Sequence, residues 1–345
     1  MNIRRHPAFP RLSAVRGLTL VELMVAMVIG LLLIGGTISL FITTQQTYRT
    51  QEALSRVQES GRFAIERIAR DAREAGHRGC PGFNINNLLN SADPGFDPSV
   101  HDSIQAFSEP SATLPSGHVR GDVLTINRMR PTGRDLVAAG NGSGNVPPIV
   151  LDGGEAGVPM GTIVMVVDET GNLCERFQHN ANENAANLSR SQSPGGPGNL
   201  PPAAADYTEF VGPIELLIFS STTFFVGEST GDPNRTSLFR QDVAAGANPR
   251  EIAEGVYDMK IEYGLDNTGD GRVDGGYVAA SDMSGGDWAN AAAIRVHLLV
   301  NNGAEDNVVD QPRTNLYFGG TLFDAPDRRL YQTFTTTIAA RNRLE

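Results

Sequence analysis

The chain has 345 residues, 40% of them hydrophobic, and a formal net charge of −11, enough for a membrane helix plus one large or two small domains. A surface of that sign repels phosphate backbones, so nucleic acid is not an expected partner. Two cysteines cannot supply a four-ligand zinc site, and no nearby histidine pair completes one.

Taken in chain order, the first segment is a short basic leader. Residues 1–17 contain Arg4, Arg5, Arg11 and Arg16 and no acid; without those four charges the rest of the chain carries −15. From Leu23 to Ile42 there is no charged side chain. A run of about 20 apolar residues spans a bilayer core of about 30 Å. Because the arginines precede it, the leader stays cytoplasmic and the remainder is sent outward. A secretory signal would place its cleavage site after the apolar core. Here the candidate processing site, Gly17, comes before it, so cleavage would leave the helix in place as an anchor. Glu22 is the anomaly: a carboxylate in a spanning helix costs about 2.5–3.5 kcal/mol on insertion scales. It either reaches the headgroups or pairs with a cation inside an assembly.

The helix is expected to continue past the membrane. Leu54, Val57, Gly61, Ile65, Ile68, Ala72 and Ala75 recur at helical spacing, with Gln, Arg and Glu on the other faces. Gly76, Gly79 and Pro81 form a stop, giving a helix over about Thr19–Ala75. Gly30 and Gly35-Gly36 are places where it could bend.

After Cys80, turn residues separate short β-type runs. The strands expected are Asp122–Asn127, Thr162–Val167, Ile214–Phe219, Thr223–Val226, Val256–Tyr263, Ala293–Val300 and Leu330–Ala339. They predict an antiparallel sheet lying on the amphipathic half of the helix, an α+β fold. Asn180–Ala205 is rich in Asn, Ser, Pro and Gly and reads as a mobile loop. Cys80 and Cys174 form a disulfide if this region lies in an oxidising compartment; two buried free thiols are the alternative.

A basic leader, a glycine, then Leu18-Thr19-Leu20-Val21-Glu22 opening an apolar helix resembles the class III signal of type IV pilins and pseudopilins. The resemblance implies a long N-terminal helix packed on an antiparallel β-sheet. It implies that prepilin peptidase cuts after Gly17 and methylates Leu18, where the family most often has Phe. It also implies that Glu22 neutralises a neighbouring subunit's N-terminal ammonium. Tyr48–Leu54, Gln58–Ala64 and Arg78-Gly79-Cys80 look like the helix of PilW-type minor pilins, and Phe334–Arg343 resembles that group's closing strand. The implied organisation is a leader at 1–17, a transmembrane segment at 18–42, an amphipathic continuation at 43–79 and a β-rich periplasmic body at 80–345. The implied partners are prepilin peptidase, other minor pilins, the major pilin and the inner-membrane assembly machinery. The implied role is priming or capping of the type IV pilus from the inner membrane. A minor pseudopilin of a type II secretion system is one alternative, and a pilin-anchored binding or adhesive tip module is another.

No catalytic motif of the HExxH, P-loop or nucleophile-elbow kind is present, and no cofactor is expected to be required. The segment Asp266–Asp274 is the candidate metal loop. Asp266, Thr268, Asp270 and Asp274 fall at positions 1, 3, 5 and 9 of a calcium-type loop, Gly271 at 6, and Arg272 could offer its carbonyl. Position 12 is Tyr277 rather than the bidentate Glu. The alternative to Ca2+ is an Asp/Asn/Gly hairpin turn held by local hydrogen bonds.

Overall fold

The structure, a computed structural model, describes residues 19–80, 85–94, 96, 107–108, 114–170, 172–192, 197–243, 246–303 and 307–340. Helix α1 runs from Leu20 to Arg73 and stays unbroken through Gly30, Gly35 and Gly36. The chain divides into two compact units, Met1–Glu52 and Ala53–Glu345.

Seventeen strands follow among the described residues. They are β1 (Ile85–Asn87), β2 (Phe107–Ser108), β3 (His118–Pro131), β4 (Leu136–Asn141), β5 (Ile149–Leu151), β6 (Ile163–Asp168), β7 (Cys174–Gln178), β8 (Asn187–Leu188) and β9 (Val211–Glu228). The chain continues through β10 (Thr236–Asp242), β11 (Arg250–Glu254), β12 (Val256–Leu265), β13 (Tyr277–Ala279), the short helix α2 (Asp287–Asn290) and β14 (Ala291–Asn301). It closes with β15 (Leu316–Phe318), β16 (Thr321–Phe323) and β17 (Tyr331–Ala339).

The 18-residue β9 organises the larger sheet. β4 and then β3 pair along one side of it, β6 and then β10 along the other. β7 joins β6, β5 joins β4, and β1 adds to β7 in parallel; the other pairs are antiparallel. A second, fully antiparallel sheet has the order β13-β12-β14-β17, and β15 and β16 form a separate hairpin.

The expected runs Ile214–Phe219 and Thr223–Val226 are one strand. Ser220, Ser221 and Thr222 between them are buried, with strand geometry rather than a turn. Asn180–Ala205 is anchored over its described part: it contains β8, and Leu188, Arg190 and Asn199 are buried.

Within the second unit, the buried side of α1 shares one core with both sheets. Val57, Ala64, Ile68 and Ala72 meet Leu124, Ile126 and Phe224 of the first sheet and Ile261, Ile294 and Val296 of the second. Burying each Val or Ile stabilises by about 1.5–3 kcal/mol. The buried line differs from the expected stripe at its start: Ala53 and Ala64 lie in it, whereas Leu54 is exposed. Small residues are selected because the helix approaches closely. A Cβ on Gly61 would sit 2.3 Å from the Phe334 ring of β17.

Candidate functional site along helix α1 and its anchor points

The first turn of α1 is built by its capping residue. Thr19 Oγ1 accepts the Glu22 N–H at 3.2 Å and the Thr19 carbonyl accepts the Leu23 N–H at 3.1 Å. Thr19 is therefore the N-cap and Glu22 sits three residues in, the Thr-x-x-Glu arrangement of a capping box. A carboxylate there also complements the positive helix end. Gly17 and Leu18 lie outside the described residues. Beyond Glu22, the large apolar side chains from Leu23 to Ile42 are exposed, on a helix long and apolar enough to cross a membrane. An uninterrupted apolar surface of this size calls for an apolar surrounding, lipid or other helices.

At the far end, α1 is tied to the β-structure by three devices. The first is steric and conformational. Gly76 takes φ +71°, the left-handed geometry that ends a helix, and donates its N–H to the Asn127 carbonyl of β3 at 2.8 Å. The second is ionic. Asp71, buried on the helix, accepts Arg240 Nε at 2.8 Å, with Arg128 and Arg67 guanidinium nitrogens each at 4.0 Å. Arg128 also pairs with Glu74. This cluster was not anticipated from the sequence. Its one signal is an acid flanking the apolar line, three residues after Ile68. The third device is covalent: Cys80 and Cys174 are disulfide-bonded, with Cα atoms 6.1 Å apart. The bridge joins the segment after the helix to β7.

Next to the bridge, β7 carries a fully buried ion pair. Arg190 Nη1 lies 2.7 Å from Glu175 Oε1 and 2.9 Å from the Thr208 carbonyl, and Nη2 lies 2.8 Å from Asn141 Oδ1. The other Glu175 oxygen accepts Asn86 Nδ2 and the Thr208 N–H. With its hydrogen bonds filled, such a pair fixes how β1, β4 and β7 meet.

The acidic loop Asp266–Asp274 is closed on itself. Asp266 accepts the N–H groups of Gly269, Asp270 and Gly271. Asp274 accepts those of Asn267 and Thr268, and Asp270 that of Arg272. Desolvation pushes the Asp266 carboxyl up, but its hydrogen bonds from Gly271, Gly269 and Asp270 outweigh it, and the net shift is downward. Among the described residues no group of three or more His, Cys, Asp or Glu could hold a metal ion. These contacts of Asp266, Asp270 and Asp274 are the local hydrogen bonds of an Asp/Asn/Gly hairpin turn.

His297 stands between Thr335 Oγ1 at 2.9 Å and Glu262 Oε2 at 3.2 Å, all on neighbouring strands of the second sheet. Arg295 shares the Glu262 carboxylate and stacks on Tyr277. This is a ladder of cross-strand polar pairs.

An apolar N-terminal helix with its acid at the first turn, continuing onto a β-rich unit, defines the class of pilin-like, membrane-anchored proteins. Residues 12–38 match the prokaryotic N-terminal methylation motif. Residues 223–342 match the family model of type IV pilus-assembly protein W, a stretch that runs from the end of β9 through β17. Together the two matches support a PilW-type minor pilin, a pilin related to the type IV pilus. No curated protein and no solved structure matches the chain.

Proposed function

We propose that this protein is a minor pilin that takes part in priming type IV pilus assembly. The observation that carries the reading is the presence, in one chain, of a methylation-type N-terminus and a PilW-type C-terminal region. The apolar helix would enter the inner membrane with the leader cytoplasmic and the β-rich unit periplasmic. The Cys80–Cys174 bridge supports that side, since disulfides persist in the oxidising periplasm. Prepilin peptidase would cut between Gly17 and Leu18 and methylate Leu18. Inside the assembly, the exposed apolar side chains from Leu23 to Ile42 would pack against the helices of other minor pilins and the major pilin. Glu22 would set the register by pairing with a neighbour's N-terminal amine, replacing an uncompensated charge in lipid with an ion pair.

The role is structural: the polar clusters are occupied with holding strands and helix together, and the acidic loop serves as a turn. Deleting the gene in cells unable to retract pili tests the reading. Strong loss of sheared surface pilin, restored by the wild-type gene, is the expected result. Normal piliation together with failed exoprotein secretion would instead assign the chain to a secretion pseudopilus.

A further inference from the structure

The second sheet ends on β17, a strand of nine residues that among the described residues pairs only with β14. Register determines which of its backbone groups face outward. The Ala340 N–H donates to the Ala292 carbonyl at 2.8 Å. The same register runs from Ala339 opposite Ala293 to Tyr331 opposite Asn301. Bonded and non-bonded positions alternate along an antiparallel pair. Gln332, Phe334, Thr336 and Ile338 therefore direct their N–H and C=O groups to β14, and Thr333, Thr335, Thr337 and Ala339 turn theirs away. The far side of β14 agrees: the Asn301 N–H donates to the Gly255 carbonyl at 2.8 Å, so its odd-numbered residues bond towards β12. Among the described residues, the outward groups of β17 have no main-chain partner. Thr335, Thr337 and Ala339 are also exposed.

Open edges are templates for another strand, and proteins blunt them by shortening them or charging them. Among the described residues, the other sheet edges follow that rule. β1, β2, β8 and β13 have three residues or fewer, and β11 carries Arg250, Glu251 and Glu254. β17 does neither: from Leu330 to Ala340 there is no charged residue. The strand is also held firmly from beneath, by Phe334 over Gly61 and by the buried Ile338.

We propose that the outer edge of β17 receives an extended, uncharged strand from a different subunit of the assembly, bound through main-chain hydrogen bonds. The edge chemistry selects the occupant. A strand is what satisfies a row of outward N–H and C=O groups, and an edge without charge offers no partner to a charged one. A second copy is disfavoured because each copy without its leader carries a net charge of −15. The identity of the donor as a pilus subunit rests on the assembly reading above.

The test places a benzophenone amino acid at Ala339 in the full chain, expressed in its own cells, and maps the crosslinked peptide. It compares Thr337→Pro, which removes an outward N–H and leaves the ladder to β14 intact, with Thr336→Pro, which removes a ladder bond. The expected result is a crosslink to an uncharged, extended stretch of another pilus subunit. That crosslink is lost in Thr337→Pro while the thermal midpoint is kept, whereas Thr336→Pro lowers the midpoint. If Thr337→Pro fails to fold, Thr337→Lys replaces it, with the same loss expected. No crosslink, a crosslink to β17 of a second copy or to a helix, or a crosslink that survives both variants overturns the proposal. Pili lost on gene deletion with no crosslink at Ala339 would sink the edge proposal alone. Normal pili on deletion would sink the assembly reading.

Discussion

Removing the Cys80–Cys174 bridge should lower the stability of the β-rich unit by an amount that its position in the chain sets. The cysteines are 94 residues apart, so the bond closes a long loop in the unfolded chain. The chain-entropy relation gives about 4.7 kcal/mol for a loop of that size. The unit Ala53–Glu345 has on the order of 290 residues, so its unfolding entropy is about 0.6 kcal/mol/K and the midpoint should fall by about 8 °C. Neither side chain offsets the loss by packing better when reduced: Cys174 is buried beside Met165 and Leu217, and Cys80 packs on the same cluster. The assay is thermal unfolding of the full chain in detergent, followed by circular dichroism, for the wild type and for the Cys80→Ala/Cys174→Ala double variant. A fall of less than about 2 °C would refute the reasoning. So would alkylation of both cysteines in the folded wild type without reductant.

Asp71→Ala removes the carboxylate from a site shared by Arg240, Arg128 and Arg67. It should cost about 3–5 kcal/mol, seen as a lower urea midpoint with an unchanged slope. Asp122, whose carboxyl accepts the Ile261 N–H, is pushed up by burial. A raised carboxyl contributes stability below its unfolded value and loses it as pH rises through the folded one. Asp122→Asn keeps the acceptor and should therefore gain on the wild type in unfolding free energy as pH rises above about 4; a constant difference would contradict this. Because Asp266 and Asp274 are satisfied by backbone amides, neither Ca2+ nor a chelator should move the thermal midpoint, whereas Asp266→Ala should lower it. Glu22→Ala should insert into the membrane normally yet be depleted from purified filaments; equal amounts of variant and wild type there would defeat the pairing role.

The sequence was most readable where a single periodicity governs burial. Ile294, Val296 and Leu298 alternate and lie in a strand, and the apolar and small residues from Val57 to Ala72 mark the face of α1 that packs. It was least readable where polar residues are buried. β7 reads Cys-Glu-Arg-Phe-Gln, yet every position is buried, because Glu175 finds Arg190 and Gln178 pairs with the Gly198 N–H. Those partners lie 15 and 20 residues away in loop-like sequence, so no local pattern announces them. The same holds for Asp71 and Arg240, 169 residues apart. β10 and β11 show no legible alternation, because half-exposed Arg, Gln and Glu mask it. Hydrophobicity places Leu54 on the packing face, yet Ala53 is the buried residue there and Leu54 is exposed.

The most direct test of the central claim is mass spectrometry of the N-terminal peptide of this chain in sheared, purified filaments. The account predicts a peptide beginning at N-methylated Leu18, present at low abundance beside the major pilin, and absent when Gly17 is replaced by a bulky residue. A chain that still begins at Met1, or one matured normally despite a bulky Gly17 substitution, would contradict it.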